Sequence, residues 1–156
     1  MSDISQDDKL FTAGGSVTGI GTTEVRTFLL KNPSGSGVRA TIKQVGVSNL
    51  HTVSSFIQYR FYVNPTITSD GTALTENTLD IGSGKTAGCQ AFLSPTISAN
   101  GTQIMQVIVP SGITGGSLFV YFPPGFQLRE NNNLLITATA DGASRIASHG
   151  IFWEED

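Results

Sequence analysis

Turn-forming residues interrupt this chain roughly every 8–12 residues, and the runs between them are rich in β-branched and aromatic side chains. Helix-forming residues at the 3.6-residue spacing of an amphipathic helix are missing. Short runs separated by such turns are typical of antiparallel sandwiches and barrels. The sequence therefore predicts an all-β chain.

Seven runs have the clearest strand patterns. In the run that begins at Val38, apolar side chains alternate with polar ones up to Val47, which indicates a strand with one buried face. The segment from Leu74 to Ala99 is harder to interpret, and we expect short strands near Leu79–Ile81 and across Cys89–Leu93. The seven clear runs are residues 24–31, 38–47, 53–63, 103–109, 117–122, 134–140 and 145–153.

Eight or nine strands with no helix to cover a parallel sheet predict an antiparallel β-sandwich, and about eight strands suit a jelly roll. An immunoglobulin-type Greek key is the alternative, but its Cys–Trp–Cys spacing is missing. We expect residues 21–156 to form one sandwich domain. Residues 1–20 are expected to be an extended N-terminal arm, because they offer little to bury. Asn32–Gly37 and Asp141–Gly142 are expected to be hairpin turns.

The charge content limits the partners. Charged residues make up 13% of the chain, about half of the usual ~25%. The net charge is −3 and the basic residues form no cluster, which argues against nucleic-acid binding. No apolar run approaches the ~20 residues of a membrane helix. The acidic, polar N-terminus is unlike a signal peptide, so we expect synthesis in the cytoplasm of the cell that makes the chain.

One segment resembles a phosphate-binding loop. Gly84-Lys85-Thr86 matches the end of the Walker pattern, but the first glycine of that pattern would fall at Leu79. The loop also needs a following helix, whose N-terminal amides bind the phosphate. The residues after Thr86 indicate a strand and turns, so we interpret Ile81–Thr86 as a surface loop.

The remaining reactive residues give no catalytic or metal-binding pattern. His51 and His149 are the only histidines, and with the single cysteine, Cys89, they make a poor zinc site. Cys89 is expected to be a buried core residue. Asp70 and Asp141 each precede glycine, a pair that is typical of turns. A calcium site built on carbonyl groups and one or two of these aspartates is kept as an alternative. We assign no catalytic residue, cofactor or metal, and the ligand-binding residues stay unknown.

The aromatic residues near the C-terminus could stack on sugars, but we expect them to pack in the core. Asn100-Gly101-Thr102 fits the glycosylation sequon, and without a signal peptide it indicates only a turn. The aromatic residues in question are Phe119, Tyr121, Phe122, Phe126 and Trp153.

Several turns and strand ends between Glu24 and Glu155 resemble those of the small β-sandwich structural proteins of tailed bacteriophages, which serve as capsid decoration (cement) proteins, head fibres or tail parts. The segments that carry the resemblance are Asn32–Gly37, the strand through Ile42-Lys43, Asp70–Thr75, Pro123-Pro124-Gly125, Leu134–Ala140 and Ile151–Glu155.

The resemblance implies a jelly-roll-like homotrimer without enzyme activity, located on the virion and bound to the major capsid protein or another virion protein. We also expect residues 1–20 to anchor the chain on that particle, so that deleting them leaves the domain folded. The first alternative is a tail, fibre or lectin-like module that binds cell-surface glycan. The second is a glycan-active enzyme, which would need paired carboxylates in a groove.

Overall fold

A computed structural model describes residues 9–51, 54–80, 82–111 and 116–156. In these residues the chain is all-β, as expected, and α-helix is absent. Fourteen strands form two six-stranded antiparallel sheets and one small two-stranded sheet. The strands are β1 (Leu10–Ile20), β2 (Val25–Lys31), β3 (Ala40–Asn49), β4 (Ser55–Val63), β5 (Thr66–Ser69), β6 (Thr72–Ala73), β7 (Asn77–Thr78), β8 (Gln90–Leu93), β9 (Thr96–Ala99), β10 (Thr102–Ser111), β11 (Gly116–Tyr121), β12 (Gln127–Leu128), β13 (Asn133–Ala140) and β14 (Arg145–Glu155).

Eight long strands form a jelly roll. Sheet A has the order β11-β3-β14-β1-β7, with β12 also paired to β3, and sheet B has the order β10-β4-β13-β2-β8-β6. The first long strand pairs with the last, β2 with β13, β3 with β11, and β4 with β10. These nested antiparallel pairs are those of one long hairpin rolled into two sheets, which is the jelly-roll arrangement.

The core lies between the two sheets. Its largest fully buried side chains include Trp153, Tyr59, Phe28 and Phe61. Burying an aromatic side chain of this kind contributes roughly 1.5–3 kcal/mol. Outside sheet B, the two-stranded sheet of β5 and β9 covers a smaller apolar cluster formed by Tyr62, Ile97 and Leu135, with Ile67 packed against it.

The arm predicted for residues 1–20 is wrong for Leu10–Ile20, which form β1; residues 1–8 lie outside the described part. β1 pairs with nearly the whole length of β14, and Phe11, Ala13 and Ile20 are buried in the core. Gly14 and Gly15 have low intrinsic strand propensity. The segment is nevertheless a strand because β14 provides hydrogen-bond partners for its backbone.

Both predicted hairpins are also wrong. Residues 32–37 connect β2 in sheet B to β3 in sheet A, and residues 141–142 lie between β13 in sheet B and β14 in sheet A. Local turn chemistry permits a reversal, but long-range pairing decides which sheet the next strand joins. Asn32 stabilises the connection from β2 to β3, because its side-chain amide donates hydrogen bonds to the carbonyls of Val38 and Leu128 at 2.9 Å each.

In the middle segment, the strand expected near Leu79–Ile81 is wrong. The structure instead pairs Asn77–Thr78 with β1, and Ile81 lies outside the described residues. The strand expected across Cys89–Leu93 is confirmed as Gln90–Leu93.

Candidate interaction surface

The residues of the phosphate-loop resemblance lie in an irregular loop. Gly82 to Thr86 follow no strand or helix pattern, and the next regular element is β8. Binding a phosphate here would require the N-terminus of a helix directly after the loop. The next regular element is the strand β8 and not a helix, so the geometry does not support a phosphate-binding loop.

Cys89 is buried, as expected. Burial raises the pKa of its thiol, and the nearby carboxylate of Glu155 raises it further. A thiol held in this way stays protonated and is a poor nucleophile. Its side chain belongs to the main core cluster.

Glu155 is a buried carboxylate in the described core. Its Oε1 accepts hydrogen bonds from the backbone N–H of Cys89 and from Nε1 of Trp153, both at 2.9 Å. Its Oε2 accepts from the backbone N–H of Gly88 at 2.8 Å. The side chain therefore fixes the segment before β8 onto the end of β14.

His149 lies inside the sandwich, 2.8 Å from Thr27 Oγ1 through its Nε2. Thr27 donates its hydroxyl hydrogen to the carbonyl of Ile136, and Nδ1 of His149 lies 3.4 Å from the carbonyl oxygen of Gly15, so the single N–H of the neutral ring is donated to one of these two oxygens. Burial lowers the pKa of His149 to about 4, although the carbonyl of Gly15 opposes this shift. His149 is therefore neutral at pH 7 and serves packing.

Glu24 is the centre of a polar network on the outer side of sheet B. Its carboxylate accepts from Arg60, Tyr62 and Thr137 at 2.9–3.0 Å and from Asn100 at 2.6 Å. Burial alone would raise the pKa of Glu24, but these hydrogen bonds outweigh it and hold the pKa below its usual value. The network fixes the segment that carries β5 and β9 to the sandwich.

The two aspartates considered for calcium are separate ion-pair partners. Asp70 pairs with Lys31 at 2.8 Å and Asp141 with Arg145 at 3.4 Å. Arg145 also contacts Nε2 of His51 at 2.7 Å. Within the described part of the chain, no three His, Cys, Asp or Glu side chains are placed to hold a metal ion.

The aromatic residues divide into two groups. Trp153 and Phe122 are buried and Phe126 packs against the core, as expected. The expectation is wrong for Phe119 and Tyr121, which are 56% and 71% exposed. Val120 between them is buried opposite Val45, so its two neighbours point to the outer face of sheet A.

The exposed large apolar side chains of the described residues concentrate at one edge of the sandwich. There β10 is the last strand of sheet B and β11 the last strand of sheet A. Only Leu79, beside β7 at the opposite edge, lies elsewhere. The seven at the edge lie on β10, on β11 or on the ends of their partner strands: Leu50, Phe56, Ile104, Ile108, Leu118, Phe119 and Tyr121.

The sheet A side of this edge, here called flank A, consists of Phe119 and Tyr121. Phe119 ends a row of three glycines across the sheet, Gly14 on β1, Gly150 on β14 and Gly46 on β3. A methyl group at Gly46 would lie 3.2 Å from the Phe119 ring, whereas one at Gly150 would meet nothing within 4 Å. The ring of Phe119 therefore lies over Gly46, beside an open shallow depression.

The sheet B side, here called flank B, consists of Phe56 and Ile108. Ile57 and Val109 point into the core, so Phe56 and Ile108 point outward. Ile108 pairs with Gln58, two residues from Phe56, and this diagonal spacing allows the two side chains to contact. The edge therefore has apolar side chains on both faces.

The two edge strands, β10 and β11, also contain no charged side chain. The sequence contains no Asp, Glu, Lys, Arg or His from Thr86 to Leu128, a stretch that includes both β10 and β11. Proteins usually protect edge strands with charges, prolines or bulges. β10 has Pro110 and a bulge at Gln103–Met105, but β11 has no such feature. The charge-free stretch is a sequence signal for this edge, but it also includes β8 and β9 and so does not locate the edge by itself.

No family model matches the chain, and no curated protein matches its sequence. Among solved structures, it is similar to a protein of the extra small virus particle of the giant freshwater prawn Macrobrachium rosenbergii, with a TM-score of 0.32, 11% identity and coverage of 90% of this chain and 79% of that chain. It is also similar to the tailspike protein of Acinetobacter baumannii phage AM24, with a TM-score of 0.26, 9% identity and coverage of 97% of this chain and 27% of that chain. Likenesses at these TM-scores do not bear on function.

None of the described segments forms a helix with the length and apolar character needed to cross a membrane.

Proposed function

We propose that this chain is a non-enzymatic structural protein of a virus particle, most specifically a decoration protein that binds the outer face of a phage shell as a homotrimer. Its partner is the major capsid protein or another virion protein. The observation that carries the proposal is a jelly roll with an exposed, apolar and charge-free edge. Contiguous apolar surface of this kind marks protein–protein contacts.

The positions of the reactive side chains support a structural role. Cys89, Glu155 and His149 are buried and hold the core together, and Glu24 is fully engaged in its hydrogen-bonded network. Each of these four groups thus has a structural role in the fold. The jelly roll is also an architecture of viral capsid and lectin domains.

Multivalency explains how a small domain with few charges could stay bound to a shell. Many copies attached to one particle turn weak individual contacts into high avidity. A surface made mainly of neutral polar groups, with 13% charged residues, adds little electrostatic steering. We therefore expect shape and apolar contact to determine the docking.

The test is the copy number of this chain in particles from its source. Particles are purified by sedimentation, and quantitative mass spectrometry compares this chain with the main shell protein. A copy number equal to that of the shell protein, or a fixed fraction such as one third of it, supports decoration. A few copies per particle would place it in a tail or fibre, and absence from particles overturns the proposal.

A second candidate function is glycan binding, favoured by the exposed pair Phe119 and Tyr121. Aromatic rings on a flat face can stack on sugar rings. The neighbouring polar groups are Gln44, opposite Tyr121, and Lys43, which pairs with Glu154 at 2.8 Å. A glycan array tests this function with the chain and its Tyr121→Ala variant, and Leu79→Ala is the control at the opposite edge. Binding lost only in Tyr121→Ala would favour it.

A further inference from the structure

We propose that flank A of one copy packs on flank B of the next, so that three copies close around an axis with their β10–β11 edges toward it. The inference deepens the proposed function, on whose trimer it rests, by naming the surface that forms that trimer. The occupant of the apolar edge is thus a second copy of this chain.

The area of the edge fits a stable interface. Side chains of this size present on the order of 150–250 Å² when fully exposed. The seven edge residues, exposed by 41–71%, therefore offer roughly 700 Å² of apolar surface. In a ring this surface is divided between two contacts, so each copy brings roughly 350 Å² to each contact. A standard interface takes ~800 Å² from each partner, of which about 450 Å² is apolar. The total exceeds the roughly 300–600 Å² of the largest apolar patch on a typical monomer.

The absence of charge favours a second copy over an unrelated partner. A charged partner would be recognised by charges of the opposite sign, which orient and select it. The strands β10 and β11 contain none. Two copies can meet at these strands without like-charge repulsion, because β10 and β11 bring no charge and the neighbouring Arg60 and Lys43 are paired with Glu24 and Glu154.

The shape of the edge favours a ring over a two-fold dimer. Flanks A and B lie on opposite faces of the sandwich and have different side chains: aromatic Phe119 and Tyr121 on flank A, Phe56 and Ile108 on flank B. A two-fold axis pairs a surface with itself, whereas contact between two different surfaces is head-to-tail and gives a closed ring or an open filament, depending on the rotation between copies. Both arrangements cover the two apolar sides, and a ring of three matches the trimer of the proposed function.

The experiment measures the mass of the purified chain by native mass spectrometry and sedimentation velocity. The wild type is expected to be a trimer. Tyr121→Lys on flank A and Ile108→Glu on flank B should each raise the trimer dissociation constant roughly tenfold or more, since each places an unpaired charge in an apolar contact. Leu79→Lys, at the opposite edge, is the matched control and should leave the trimer intact.

The double variant decides the arrangement. In a head-to-tail ring, Lys at position 121 of one copy faces Glu at position 108 of the next, so the double variant should recover most of the lost affinity. In a two-fold dimer like charges would face each other, and the double variant would be worse than either single variant. Circular dichroism checks that each variant is folded; if Tyr121→Lys is not, Tyr121→Ser replaces it.

Three outcomes would overturn the inference: a monomeric wild type, single variants that leave the trimer unchanged, or a dimer that the double variant weakens further. These measurements need only the purified chain. A trimer with this interface but without particle association would overturn the proposed function and leave the interface standing. Association of a monomeric chain with particles would overturn the interface and leave the virion role standing.

Discussion

The buried carboxylate of Glu155 has three N–H donors and no cationic partner among the contacts that hold it. Removing an acceptor from buried donors costs about 1–3 kcal/mol for each group left unsatisfied. Glu155→Gln replaces one acceptor oxygen with a donor, so we expect a loss of about 3 kcal/mol in the free energy of unfolding, measured by urea denaturation at pH 7. Glu154→Gln, which affects only the exposed pair with Lys43, should cost less than about 1 kcal/mol. Equal losses in the two variants would contradict this interpretation of Glu155.

The buried ring of His149 predicts a dependence of stability on pH. Its pKa is about 4 in the folded chain, against an ordinary histidine value of 6.5 for the unfolded chain, so the unfolded chain binds more protons between these values. This stabilisation is complete above pH 6.5 and is lost as the pH falls toward 4, by about 3 kcal/mol in total. Urea denaturation at a series of pH values measures the slope.

The control for that slope is His149→Gln, which keeps a polar group beside Thr27 but cannot titrate. Its unfolding free energy should be nearly flat between pH 6.5 and 5, whatever its absolute value. Glu24 contributes at lower pH, since its depressed pKa means that its stabilisation is lost only as the pH falls through that value. An unchanged slope in His149→Gln would show that another group dominates.

At the scale of elements, β1 shows why an interpretation based on propensity fails. Its sequence contains Gly14, Gly15 and Gly19, and glycine weakens a strand. It becomes an 11-residue strand because β14 lies beside it and because Phe11 and Ala13 enter the core. The strand runs with clear alternation or β-branched content, such as Ala40–Asn49 and Asn133–Ala140, could be predicted because their pattern is local.

The same limit applies to the candidate surface. A run such as Leu118–Phe122 is apolar whether it lies in the centre of a sheet or at its edge, so the sequence favoured core packing for Phe119 and Tyr121. Only the sheet order places β11 last and exposes these two side chains. The turn residues of Asn32–Gly37 likewise do not specify whether the next strand stays in the same sheet.

Truncation tests the role of β1. Deleting residues 1–20 removes β1 with its buried Phe11 and Ile20, and exposes β14. Circular dichroism and thermal unfolding should show a chain that does not fold. A cooperative transition in the shorter chain would restore the interpretation of residues 10–20 as an arm.

The glycine row of sheet A gives a matched pair of substitutions. A methyl group at Gly14 would lie 2.7 Å from the backbone oxygen of His149, and one at Gly150 would meet nothing within 4 Å. Gly14→Ala should therefore destabilise the chain by about 1–3 kcal/mol. Gly150→Ala should be neutral or stabilising by about 0.5 kcal/mol, because alanine reduces the entropy of the unfolded chain. Thermal unfolding of both variants checks this, and the opposite order would show that the row is not packed as described.

At the scale of the whole molecule, the jelly roll explains why the apolar edge exists. The nested pairing places β4 and β10, the innermost pair, at the end of sheet B, and β3 with β11 at the same end of sheet A. Sheets of this kind do not close on themselves, so β10 and β11 leave open edges side by side. The apolar, charge-free composition of those strands then makes the edge the natural place for a partner.

The response of the trimer to salt depends on the absence of charge at this edge. Screening weakens interfaces that depend on ion pairs, so raising NaCl from roughly 50 mM to roughly 500 mM should change the dissociation constant of the wild-type trimer by less than about threefold. Sulfate should tighten the trimer, because it strengthens apolar association. The double variant Tyr121→Lys/Ile108→Glu is the control, since its trimer has ion pairs at each contact and should dissociate as NaCl rises. Sedimentation velocity measures both proteins, and a wild-type trimer that loses tenfold in affinity with NaCl would place the interface on a charged surface elsewhere.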